Sequence, residues 1–88
     1  MDRANVRSRL QEVFRGCFFD DEIVLGDDTT ADDVDGWDSL AHVRLLMLIE
    51  DAFHIQLPGV EASQLDNVGQ LIDLVMRLQN ASAEKGRA

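Results

Sequence analysis

Asp38-Ser39, followed three residues later by His42, is the spacing in this chain that most invites chemistry. If the segment is helical, His42 lies one turn beyond the serine, as a nucleophile and its base require. A serine in the first turn of a helix is also ordinary capping chemistry. Here Asp38 holds the better cap position, so the Ser39 hydroxyl is left free. A phosphodiester built on that hydroxyl would sit at a helix start, where unpaired amides and the helix dipole favour negative charge. The enzyme reading is the weaker one. No residue pattern for an oxyanion hole or substrate pocket accompanies the pair, and a chain this small has little volume for a closed site.

The second chemical feature is the stretch from Asp20 to Asp38, which holds nine of the seventeen acids and no Lys or Arg. Gly26, Thr29, Thr30 and Gly36 give it turn chemistry, and Ile23, Val24, Leu25 and Val34 are apolar enough to pin it to a core. Such acid density invites a calcium reading. Setting Gly36 at the glycine position of an EF-hand loop places Asp33 and Asp35 correctly, but the first ligand position falls on Ala31 and the bidentate acid on His42. The strongest two ligands are missing, which leaves only weak binding by a carboxylate cluster.

Three helices and a short fourth must position these groups. From Arg3 to Phe18, Val6, Leu10, Val13, Phe14, Cys17 and Phe18 recur at steps of three and four, with Arg7, Arg9, Gln11, Glu12 and Arg15 on the polar side. That polar side reads as a solvated face, away from the acidic remainder. A second helix starts at Asp38-Ser39-Leu40 and continues to about His54, because Pro58 forbids further helix. Val60 to Leu65 has room for one or two turns. Asn67 with Gln70 forms a capping-box pattern ahead of Val68, Leu71, Ile72, Val75 and Leu78, a last helix ending near Asn80. Residues 81 to 88 offer no large apolar side chain and are expected to be a disordered tail after a single domain of residues 1 to 80.

Composition narrows the class. Eighty-eight residues make one small domain, and 45% hydrophobic content suffices for a core. The lack of Tyr, the single Pro and the absence of repeats argue for an all-α chain. A net charge of −9 disfavours nucleic acid and anionic lipid surfaces and favours basic protein patches. The lone Cys17 cannot form an internal disulfide, and no signal or membrane-spanning run is present, so a reducing, cytoplasmic setting is expected.

The second helix is apolar on two sides. Leu45, Leu46, Leu48, Ile49, Ala52 and Phe53 make a core face, yet Leu40, Val43 and Met47 project elsewhere among Arg44, Glu50 and Asp51. One small domain cannot bury both, so the Leu40/Val43/Met47 stripe is a candidate docking surface; the alternative is that the acidic loop covers it.

Taken together, Gly36-Trp37-Asp38-Ser39-Leu40, Val43, Leu45, Glu50-Asp51-Ala52-Phe53, Leu57-Pro58 and Asn67-Val68 resemble the acyl carrier proteins, the phosphopantetheine-binding carrier family. The resemblance spans about residues 5 to 79. It implies a four-helix bundle with a long first loop and a short third helix. It also implies covalent 4′-phosphopantetheine on Ser39, with Asp38 as the acid that supports modification. Leu40, Val43, Arg44, Met47, Glu50, Asp51 and Glu61 would form the partner-binding surface.

In that resemblance the chain is a monomeric carrier without catalysis of its own, holding acyl or aminoacyl groups as thioesters. Its partners would be a phosphopantetheinyl transferase, an acyl- or aminoacyl-loading ligase or acyltransferase, and downstream synthases or transferases. Ala41, Arg44, Gly59 and Val60 stand where fatty-acid-type carriers usually have acids. With Trp37 and His42, they resemble carriers of specialised polyketide, nonribosomal peptide or related assembly. Trp37 also reads as an apolar plug, and His42 as a surface residue. Outside the resemblance, an unmodified acidic helical adaptor and a weak calcium-binding helical protein are the competing classes.

Overall fold

The computed structural model describes residues 2 to 85. Its elements are α1 (Arg3–Phe18), a 3₁₀ turn (Ala31–Asp33), α2 (Ser39–Phe53), α3 (Gly59–Ser63) and α4 (Val68–Lys85). No strand occurs among the described residues, and the expected four-helix arrangement with a long first loop and short third helix is what forms.

Local chemistry sets the boundaries. Asp2 caps α1 by accepting from the Asn5 amide, and Asp38 caps α2 by accepting from Ala41 N at 2.8 Å. Both helices end in a left-handed residue, Phe19 and His54, in the position where glycine is usual. The next amides, Asp20 N and Ile55 N, reach back to the carbonyls of Arg15 and Glu50 and satisfy the last turns. At α4 the Asn67 carboxamide accepts from Gln70 N as the sequence pattern requires, while Gln70 Oε1 accepts from Asp66 N, one residue earlier than a standard capping box. The α4 backbone runs to Lys85, past the expected end near Asn80; residues 86 to 88 of the expected tail lie outside the described residues.

The core is one cluster in which α1 packs against both α2 and α4. Val6, Leu10 and Phe14 from α1, Leu45 and Ile49 from α2, and Val68, Leu71, Ile72 and Val75 from α4 are essentially inaccessible. Fully burying each such side chain contributes on the order of 1.5–3 kcal/mol, so this cluster dominates the stability.

Three expectations need correction. Leu48 does not join the core: about 100° separates it from Ile49, the centre of the buried face, and it is 38% exposed. Val24 is no anchor for the loop either; in extended chain alternate side chains point opposite ways, so Ile23 and Leu25 pack inward and Val24 is 75% exposed. The polar face of α1 is not merely solvated. Gln11 accepts from Leu25 N, Arg15 donates to the Ile23 carbonyl, and Arg3 and Arg7 both pair with Asp27, which folds the acidic loop back over the basic helix. Arg3 also pairs with Asp73 of α4.

Candidate functional site

The site starts at the turn before α2. Gly36 has φ +87°, a conformation that side-chain-bearing residues resist, and it swings Trp37 inward. There the indole packs edge-on against Phe14, with ring centroids 5.1 Å apart, and beside Phe18. Trp37 is thus a plug at the loop-to-helix junction, and it fixes where α2 begins.

The plug is tied to the helix that follows. Trp37 Nε1–H donates to His42 Nδ1 at 3.0 Å, and His42 Nε2 lies 3.0 Å from the Ala62 carbonyl. A carbonyl only accepts, so Nε2 carries the proton and Nδ1 is the acceptor. Both ring nitrogens are therefore used, and His42 links the α2 entry to α3 through the buried Ala62. This removes the Ser39/His42 nucleophile pair: with Nδ1 taken by the indole, no nitrogen is left to act as the serine's base. His42 is half-buried, not a surface residue.

Ser39 itself occupies the first position of α2 and is exposed. Asp38 makes the capping bond, its carbonyl accepts from His42 N, and the Ser39 hydroxyl has no protein partner among the described residues. Beside it opens a cleft of about 490 Å³ between α2 and the segment from α3 to the start of α4. Trp37, His42, Val43, Leu65 and Leu71 form its apolar wall, and Asp38, Ser39, Ser63, Asp66 and Asn67 are its polar members. The sequence reading foresaw no such volume. In the sequence Leu71 belongs to the apolar period of the last helix, Asn67 to its cap and Leu65 to the short turn segment before it, and only the packing of α3 against His42 brings them into one cleft with Ser39.

The stripe expected to face partners is open. Leu40 is 81%, Val43 58% and Met47 62% exposed, and the acidic loop does not cover them. Arg44 and Asp51 lie on the same exposed stripe. Two other members of the expected surface are engaged within the chain: Glu50 accepts from Leu57 N at 2.8 Å, and Glu61 pairs with Arg77. Among the described residues no three His, Cys, Asp or Glu side chains gather as a metal-ligand set, and no helix is long and apolar enough to cross a membrane.

A free serine stands at the exposed start of a capped helix, beside a cleft on a small helical bundle, an arrangement compatible with a carrier-type domain. The comparisons agree. The family model described as a phosphopantetheine attachment site matches residues 6–75. The acyl carrier protein of Rubrobacter xylanophilus is 30% identical over 82 residues, 92% of this chain and all of that protein. That of Guillardia theta is 45% identical over 40 residues, 46% of this chain and 49% of that protein. The solution structure of holo acyl carrier protein from Geobacter metallireducens superposes with a TM-score of 0.84 at 39% identity, covering 90% of this chain and 91% of that one. The chain belongs to the acyl carrier protein family, whose cofactor is covalently bound 4′-phosphopantetheine.

Proposed function

We propose that Ser39 carries the 4′-phosphopantetheine arm, and that the chain shuttles acyl or aminoacyl thioesters in a specialised assembly pathway without catalysis of its own. The observation that carries the assignment is the state of Ser39: exposed, first in a fifteen-residue helix, and relieved of capping by Asp38. Unpaired first-turn amides and the helix dipole stabilise the negative phosphodiester there. When bound, the arm supplies a terminal thiol for thioester formation. Asp38 holds the helix start, and the Trp37–His42–Ala62 chain holds the cleft wall beside the serine. With both nitrogens of His42 occupied, Ser39 and His42 do not form a nucleophile and base pair, which supports the non-catalytic reading.

Leu40, Val43, Arg44, Met47 and Asp51 form the docking stripe in this reading, for the phosphopantetheinyl transferase, a loading ligase or acyltransferase, and downstream synthases or transferases. Glu50 and Glu61 take part through the shape they give the α2–α3 segment. The specialised role rests on Ala41, Arg44, Gly59 and Val60, which leave the surface poorer in acids than a fatty-acid-type carrier. The setting is the cytoplasm and the working unit a monomer. Incubation with coenzyme A, magnesium and a broad-specificity phosphopantetheinyl transferase tests the core of this by intact mass. Wild type gains one phosphopantetheine, and Ser39→Ala folds normally and gains none; modification that persists in Ser39→Ala would falsify the assignment.

A further inference from the structure

The turn that ends α1 collects three features that disfavour the folded state. Phe19 holds φ 52°, the left-handed conformation in which a side chain is strained and glycine is the low-energy choice. Its ring is 90% exposed, so burial offsets nothing. Asp20, Asp21 and Glu22, all exposed, follow directly on the negative end of the helix dipole, where carboxylates are unfavourable. Arg15, the base of the last turn of α1, donates to the Ile23 carbonyl instead of pairing with them. A tight turn, in which Ile23 N donates to the Asp20 carbonyl and Asp20 Oδ1 accepts from Glu22 N, holds these acids between Phe19 and the 75% exposed Val24.

The place of this turn in the bundle gives it a use. Arg9 of α1 reaches the Ala52 carbonyl near the end of α2, while Phe14 and Phe18 pack on Trp37 just before its start, so the two helices run antiparallel. Phe19 therefore shares an end of the molecule with Ser39. The neighbouring Phe18 ring lies 6.3 Å from that of Trp37, which stands two residues before the serine. The turn nevertheless belongs to another element than the Leu40/Val43/Met47 stripe, and a protein can grip one without the other.

We infer that Phe19 and Val24, with the acids between them, form a second docking patch for the enzyme that loads the arm, whose matching surface is an apolar pocket rimmed by Lys and Arg. The inference rests on Ser39 bearing the arm. Strain and exposure that the fold does not use mark a site used in contact, and an exposed aromatic is the anchor that interfaces bury most often. A pocket would bury the ring, and a basic rim would neutralise the carboxylates at the helix end. Installation of the arm takes place at the Ser39 hydroxyl, so the installing enzyme must hold the start of α2. Loading takes place at the far end of a flexible arm, so the loading enzyme needs a grip away from the serine, and the turn offers an aromatic anchor at the same end of the bundle.

The test uses the full chain as wild type, Phe19→Gly and Asp21→Asn/Glu22→Gln, each converted to the holo form with coenzyme A, magnesium and the broad-specificity phosphopantetheinyl transferase. The holo proteins are then loaded by a ligase that acylates the wild-type chain, with intact mass read at low and high salt and thermal melts run alongside. Phe19→Gly should melt higher than wild type, because glycine takes the left-handed position freely. It should nonetheless lose at least about tenfold in kcat/KM for loading, mostly through KM, while conversion to the holo form is unchanged. Asp21→Asn/Glu22→Gln should melt higher and load more slowly at low salt, and both differences should fade at high salt. Loading of Phe19→Gly at the wild-type rate overturns the patch. So does a Phe19→Gly protein that melts lower, since the ring would then serve the fold. An equal loss in installation and in loading overturns the loading enzyme as the occupant, and failure of wild type to gain the arm overturns the Ser39 reading and the patch with it.

Discussion

Ser39 stays free because its neighbours absorb the local hydrogen bonds: Asp38 takes the Ala41 amide, and His42 is spent on Trp37 and Ala62. The same economy governs Cys17, a buried thiol on the inner side of α1. Burial pushes its pKa up, with the Arg44 guanidinium working partly against the shift. For a group that is neutral when protonated, a raised folded pKa means that the folded state keeps its proton longer than the unfolded chain does. The stability it contributes is complete below the ordinary thiol value of about 8.5 and is lost as pH rises from there through the raised value. Urea unfolding should therefore give a constant free energy between pH 7 and 8 and a decline above about pH 8.5. No tyrosine titrates in that window. Cys17→Ala should flatten the decline; a variant that declines in parallel with wild type would show that another group is responsible.

Elements meet most tightly where the acidic loop reaches α4. Val68 N and Gly69 N, which have no partner within their own helix start, donate to the carbonyls of Thr29 and Asp27, each at 2.8 Å. A Cβ on Gly69 would stand 2.9 Å from the Asp27 carbonyl oxygen, a backbone atom that cannot simply rotate away. Gly69→Ala should thus destabilise by about 1–3 kcal/mol, overpacking outweighing the gain in helix propensity. Gly16→Ala, in α1 with nothing within 4 Å of the new methyl group, should stabilise by about 0.5–1 kcal/mol. Urea midpoints of opposite sign would bear this out, and a stabilised Gly69→Ala would mean that the loop yields freely. The contrast also marks what was legible in the sequence. Period and caps located α1, α2 and the start of α4, because Val6 to Phe18 and Asp38 act within one turn of their own positions. The docking of the loop on Arg3, Arg7 and Gln11, and the Trp37–His42–Ala62 chain that shapes the cleft, join residues 5 to 24 positions apart. Those depend on the three-dimensional path, which local spacing does not encode. The 3₁₀ turn did carry a signal, Thr30 and Asp33 in capping-box spacing, inside a segment whose acid content drew attention elsewhere.

Across the whole molecule, charge divides into a part the fold uses and a part it tolerates. Of the nine acids from Asp20 to Asp38, Asp27 pairs with two arginines, and Asp20, Asp33 and Asp38 accept from nearby amides. Asp21, Glu22, Asp28, Asp32 and Asp35 have no side-chain partner among the described residues, and all five are exposed. Salt acts on both parts in opposite directions: it weakens the Arg3 and Arg7 pairs and relieves the repulsion among the unpaired acids. Exposed pairs contribute about 0–1 kcal/mol each, and they lie at contact distance, where screening is least effective. The unpaired acids repel over a range of about 30 Å at 0.01 M salt, shrinking to about 8 Å at physiological strength, so their repulsion should respond more strongly. The melting temperature should therefore rise from 0.01 M to physiological salt by several degrees, since about 1 kcal/mol corresponds to roughly 4–8 °C in a domain of this size. Neutralising Asp28, Asp32 and Asp35 together to Asn should raise the low-salt melt and flatten its dependence on salt. Arg3→Ala should lower the melt at every ionic strength, because it leaves Asp73 unpaired and Asp27 with Arg7 alone. A melt that falls with salt in wild type would reverse the ranking and make the arginine pairs the dominant electrostatic contribution.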